Sequence, residues 1–164
     1  MEKRGAMKRG FRRYWIYALL AHSTKDDQRK ACYIGQTANL ERRMREHLKP
    51  PRPGRGSAAL FEWVAVEMAE VRVAILVRTD CDQSQATILE GYWLGLAVEA
   101  GFSVPGVHNW GRLPKPNHLE GLPTQWPVAE IMAASLPLDE VARSWRGNDA
   151  PLVPINGQSA LALL

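Results

Sequence analysis

The chain has 164 residues, enough for one domain with a modest appendage and too few for two ordinary domains. No apolar run approaches membrane-spanning length, and Cys32 and Cys81 form neither a C-x-x-C pair nor a zinc pattern with His22, His47, His108 or His118, so a reducing cytoplasm is the simpler expectation. The net charge of +4 hides a division, with 15 Lys and Arg against 5 acids from Met1 to Gly56 and 6 against 12 thereafter; it turns the first third toward a polyanion, for which nucleic acid is the natural candidate, or else toward solvent.

Residues 1–13 carry Lys3, Arg4, Lys8, Arg9, Arg12 and Arg13 with few apolar anchors, and read as a basic tail suited to phosphate or as a tail of no consequence. Tyr14 to His22 follows as an apolar run rich in aromatics. Its basic flank imitates a signal peptide, but the aromatic content favours a strand. Lys30 to Gln36 reads as a second strand, and the polar STKDDQR between them as a hairpin loop, so the two are expected to pair antiparallel and to bring Tyr17 near Tyr33 if both share a face.

The chain changes character at Gly35, where a missing Cβ permits a sharp turn or a close approach. Asn39 is a candidate N-cap, and Leu40, Met44 and Leu48 make the stripe of a short amphipathic helix. Arg43 and His47 fall one turn apart along the border of that stripe, while Arg42, Arg45 and Lys49 take the far side. By pattern alone this is either a site or an ordinary basic helix with a solvated face.

The loop KPPRPGRGS cannot continue regular structure and carries Arg52 and Arg55, placed to touch a nucleic-acid backbone or simply to connect. Ser57 to Ala69 reads as a helix capped by Ser57. Val71 to Thr79 reads as a strand with Val71, Val73, Ile75 and Val77 on one face. Asp82 to Ala100 reads as a long helix with Ala86, Leu89, Trp93, Leu96, Ala97 and Ala100 in one sector, Glu90 on its border and Glu99 opposite. A loop then leads to Asn109. Beyond Arg112 a linker-like stretch precedes two short helices, Val128 to Ser135 and Leu138 to Trp145, broken at Pro137; they read as packing onto the core or as a small helix-turn-helix reader that lacks a basic face.

Trp15, Ile16 and Tyr17 followed by Tyr33, Ile34 and Gly35 resemble the paired signature of the GIY-YIG nuclease family. Arg43, ten residues after Tyr33, matches the family's arginine, His47 its histidine one turn later, Glu90 its metal-binding glutamate and Asn109 its supporting asparagine. The resemblance covers Tyr14 to Trp110, with one departure: Trp15 stands where the family usually has glycine. It implies an α+β fold, a small central antiparallel three-stranded sheet flanked by helices. The expected organisation is a tail at 1–13, the nuclease domain at 14–112, and a short, mostly helical C-terminal extension at 113–164.

What the resemblance implies chemically is a DNA endonuclease dependent on Mg2+ or Mn2+. Glu90 would bind one hard cation, Arg43 would hold the phosphoryl oxygens, Tyr17 or Tyr33 would activate water, and His47 would assist proton transfer or bind phosphate. Arg12, Arg13, Arg42, Arg45, Lys49, Arg52 and Arg55 would contact the nucleic-acid backbone. The competing expectation is a non-catalytic nucleic-acid-binding module that keeps the same fold.

Overall fold

The structure, a computed structural model, describes residues 10–49, 57–106, 121–145 and 151–155. Asn109, Arg52 and Arg55 lie outside the described residues, as does most of the basic tail. A run buried on both faces within Arg12–His22 builds strand β1, and the hairpin through residues 23–29 returns the chain as β2, Lys30–Thr37. Helices α1 (Leu40–His47) and α2 (Ala58–Glu67) follow, then strand β3 (Glu70–Cys81) and the long helix α3 (Gln83–Glu99). Helix α4 (Val128–Ala134), a two-residue strand β4 (Leu136–Pro137) and helix α5 (Leu138–Ser144) complete the set.

The sheet is antiparallel in the order β2-β1-β3-β4, so it has four strands where three were expected. The fourth escapes periodicity because two residues, one a proline, carry no alternation. It is secured by Arg72, whose guanidinium donates to the Ser135 hydroxyl at 3.0 Å and carbonyl at 2.8 Å.

Strand β1 lies in the middle and sends alternate side chains to two cores. Ile16, Ala18 and Leu20 join α3, while Tyr17, Leu19 and Ala21 join α1, α2 and α5. In β3 the alternation breaks. Tyr17 pairs with Ile75 but Ile16 pairs with Val77, so Leu76 is an extra residue, a β-bulge, and Leu76 and Val77 both face the α3 core. Val77 therefore leaves the face shared by Val71, Val73 and Ile75, contrary to the simple alternation.

Three other expectations need correction. Arg12 and Arg13 belong to β1 rather than to a tail, because strand pairing extends to Cys81 and Asp80. Leu48 is 45% exposed at the end of α1, and the buried position of the last turn goes to His47 at 4%. Helix α3 is buried over most of its circumference, not one sector, since Leu122, Trp126 and Ile131 pack on it and the Tyr92 hydroxyl donates to the Pro123 carbonyl at 2.6 Å. Asp82 caps its start, accepting from the Gln85 N–H in a reciprocal capping box.

The hairpin loop is clipped to α2 by a buried carboxylate. Glu67 pairs with Arg29 and accepts from the Ser23 hydroxyl, which satisfies a charge that burial would otherwise penalise. Ser103 forms an isolated bridge with Ala31 and covers the first half of β2, an edge strand.

Gly35 pairs with Tyr17, and the Tyr17 ring crosses over it. A Cβ at Gly35 would stand 2.5 Å from the Tyr17 hydroxyl oxygen and 2.8 Å from a Tyr33 ring carbon. Both rings are packed and cannot retreat. Gly35→Ala is expected to destabilise the fold by about 1–3 kcal/mol, measured by urea unfolding. A variant as stable as the parent would show that the rings yield.

Candidate active site

The register of the hairpin puts Tyr17 opposite Gly35 and Tyr33 opposite Leu19, so both phenols share the face turned to α1. Their ring centroids are 6.2 Å apart. Helix α1 is oriented onto them by Leu40 and Met44, buried beneath it, and by its Asn39 cap, which accepts from the Arg42 N–H at 3.1 Å. His47 then presents its ring edge-on to both tyrosines, 5.7 Å from each by centroid.

Two side chains, His47 and Arg43, converge on the Tyr17 hydroxyl oxygen. The Tyr17 hydroxyl lies 2.7 Å from His47 Nε2 and accepts from Arg43 Nε at 3.2 Å; a second guanidinium nitrogen donates to the Tyr33 hydroxyl at 3.4 Å and the third to Glu46 at 3.0 Å. His47 Nδ1 is 3.1 Å from the Ser57 hydroxyl. Ser57 stands at the N-cap position of α2 as expected, but its side chain makes no cap bond and is turned to His47 instead.

The network assigns the protons. Tyr17 is fully buried, so its one O–H needs an acceptor, and among the described residues His47 Nε2 is in place to be it. Nδ1 then carries the imidazole proton and donates to Ser57. The opposite tautomer would leave the phenol proton without an acceptor in the interior.

Burial, and then the nearby Arg43 charge, push His47 down to about 3, so it is a neutral imidazole at ordinary pH. Burial likewise raises Tyr17 well above its ordinary value, helped by Tyr33 and by Glu90 and opposed by Arg43, so the resting phenol is protonated. For Arg43, burial works against the charge, yet the Tyr17 and Tyr33 oxygens outweigh it and its pKa ends above the usual value. The guanidinium is thus a fixed cation. Three of its N–H donors are committed within the described residues, leaving about two of five for a ligand.

Glu90 comes from α3, on the other face of the sheet. It is 5% exposed and accepts from Gln36 Nε2 at 2.7 Å; that nitrogen also lies 3.0 Å from the Thr87 hydroxyl. Gln36 follows Gly35 on the edge strand, so Glu90 is drawn to the place where Tyr17 crosses the strand. Burial raises the Glu90 carboxyl to about 7, against the bond from Gln36.

The Oε1 atom of Gln36 is buried without a partner among the described residues. An orphaned amide oxygen beside a carboxylate suits a hard divalent cation, which takes oxygen ligands and keeps several waters. No group of three His, Cys, Asp or Glu gathers among the described residues.

The sequence singled out Tyr17, Tyr33, Arg43, His47 and Glu90. The first four are brought into one bonded cluster, and Glu90 reaches it through the edge strand. Gln36, Ser57 and Glu46 were missed. Only Gln36 left a signal, a polar residue directly after the buried run of Ala31 to Gly35.

The expected phosphate contacts are scattered. Strand alternation turns Arg13 to the Tyr17 face, where it pairs with Asp80 at 3.1 Å, and Arg12 to the opposite one. Arg42 pairs with Glu46 at 3.5 Å, and Arg45 with Glu41 at 2.9 Å and with the Trp145 carbonyl at 3.4 Å, while Lys49 is exposed.

The model of the GIY-YIG catalytic domain matches residues 13–98, more than half of the chain. This protein belongs to the GIY-YIG family. No curated protein and no solved structure matches it. The matched span ends inside α3, so α4, β4, which completes the sheet, and α5, which packs on α1, lie outside that span. Among the described residues of this GIY-YIG protein no helix is long and apolar enough to cross a membrane.

The buried Glu90 carboxyl makes stability pH-dependent. A pKa raised from 4.5 to about 7 favours the protonated form in the fold, so that contribution is complete below about pH 4.5 and is lost as pH rises through about 7. Without added metal, Glu90→Gln is therefore expected to stabilise the protein by up to about 3 kcal/mol at pH 8 and by little at pH 4. Urea unfolding at both pH values checks this, and an equal effect at both would refute it.

Proposed function

We propose that the protein is a divalent-metal-dependent DNA endonuclease that hydrolyses a phosphodiester bond by water attack assisted by Tyr17. The observation that carries this reading is the convergence of two phenols, a guanidinium and an imidazole on one hydrogen-bonded centre, with a buried carboxylate beside it, in a chain of the GIY-YIG family. Mg2+ or Mn2+ held by Glu90, with the Gln36 oxygen adjoining, would supply the Lewis acid for the phosphoryl group and the departing oxygen.

Hydrolysis at neutral pH requires a base, a grip on the developing negative charge and a route for the proton. The Tyr17 hydroxyl has an acceptor at 2.7 Å to which its own proton can pass. As Tyr17 takes a proton from water it hands one to His47, whose other nitrogen is steadied by Ser57. Burial and Arg43 resist an imidazolium there, and a phosphate bound to Arg43 cancels the second of these penalties.

Arg43 is the phosphate-binding group, held in orientation by Tyr17, Tyr33 and Glu46 and left with donors to spare. Tyr33, slightly more exposed than Tyr17, shapes the entrance and fixes the guanidinium. Arg13, Arg42 and Lys49 are the exposed cations suited to flanking phosphates, whereas Arg45 is engaged with Glu41 and Trp145. Free, buried Cys32 and Cys81, with Cys32 pushed up to about 12 by burial, suit a reducing cytoplasm.

Cleavage of plasmid and branched DNA with Mg2+ tests the assignment. Tyr17→Phe is expected to lower kcat by about 10²–10⁴-fold, and Tyr33→Phe by much less. Arg43→Lys should not restore what Arg43→Ala removes, because an ammonium cannot bond both phenols and a phosphate at once. Glu90→Ala should bind DNA without cutting it. Full activity in Tyr17→Phe would refute the base assignment. Binding without cleavage by the parent protein under all conditions would leave the non-catalytic module.

A further inference from the structure

The bulge in β3 has a consequence for the face that carries Tyr17. With regular alternation, residue 78 would fall on the α3 face; the extra residue at Leu76 turns Arg78 onto the other side, opposite Trp15 in the register. The Arg78 guanidinium carbon then sits 4.8 Å from the centre of the Trp15 ring. Trp15 precedes Tyr17 by two positions, so it shares that residue's face about 7 Å along the strand. Thr37 of β2 flanks it on the other side.

Trp15 packs against the rim of the core that holds Tyr17, yet the pair is not closed off. Trp15 and Arg78 are both partly exposed, and the neighbouring acid, Asp80, is taken by Arg13. Among the described residues Arg78 makes no ion pair and no side-chain hydrogen bond, so what holds it is the indole beneath it. A planar cation parked on an aromatic ring keeps its outer surface for another flat group. Nucleobases stack on both indole and guanidinium planes.

We propose that Trp15 and Arg78 form a stacking ledge for one unstacked nucleobase beside the bond to be cut, and that the enzyme thereby favours DNA with a single-stranded branch over uninterrupted duplex. The proposal rests on the nuclease reading. A base inside a duplex already has neighbours on both faces, so only a base at a flap, gap or junction can occupy the ledge without paying to leave its stack. Phosphate contacts elsewhere add affinity without this preference.

The test uses the Glu90→Ala protein, which separates binding from cleavage, and two probes of identical sequence, one with a short single-stranded flap and one fully duplex. The flap probe is expected to bind about tenfold more tightly. An abasic site at one flap nucleotide should abolish that advantage, and the same lesion elsewhere should not. Arg78→Gln and Trp15→Ala, each added to Glu90→Ala and checked for an unchanged circular dichroism spectrum, should erase the preference and make the abasic lesion silent.

Arg78→Lys distinguishes stacking from simple charge: it should also lose most of the preference while retaining the salt dependence of binding. Equal binding of the two probes by the parent, an unchanged preference in Arg78→Gln, or full preference in Arg78→Lys would each overturn the ledge. Of the results described, only failure to bind either probe would sink the nuclease reading with it.

Discussion

A phenol with no contact with solvent must find its hydrogen-bond partners inside the protein, and Tyr17 is such a phenol. Its oxygen sits between the His47 imidazole and the Arg43 guanidinium, and those two bonds join β1, the middle strand, to a helix of only eight residues. That helix is too short to hold its own geometry. Its orientation comes from this bonding and from the core beneath it. The group that the proposed chemistry needs in one position is therefore also a group that the fold needs there.

The same constraint explains the neighbourhood. Gly35 has no side chain because the Tyr17 ring occupies the space where one would be. Ser57 forgoes the usual capping bond because the second nitrogen of His47 requires a partner. Glu46 steadies Arg43 from within α1, and Arg45 extends the connection to the carbonyl of Trp145 at the end of α5. Helix α5 thus braces α1 from outside, although it lies beyond the family's matched domain.

Charge is distributed with comparable economy. Arg43 is the fixed positive centre, His47 is kept neutral next to it, and Glu90 is kept near its protonation midpoint by burial on the other side of the edge strand. A cation entering beside Glu90 and an anion arriving at Arg43 would each relieve a penalty that the resting protein sustains. At Gly35 and Gln36 the edge strand β2 lies between the phenols on one face of the sheet and the carboxylate on the other.

The sequence by itself determined the hairpin, the three main helices and the identity of the central side chains. Those features reside in short-range patterns: an aromatic run, a glycine, a cap, and fixed spacings from Tyr33 to Arg43 and His47. Tertiary structure alone decided that the Tyr17 hydroxyl meets His47, that Gln36 supports Glu90, and that α3 is covered on nearly every side. It also decided the bulge that carries Arg78 to the face of Tyr17 and the two-residue strand that Arg72 secures. The physical reason is that each of these depends on register or on contact between residues distant along the chain. One extra residue in a strand exchanges its faces while leaving its composition unchanged.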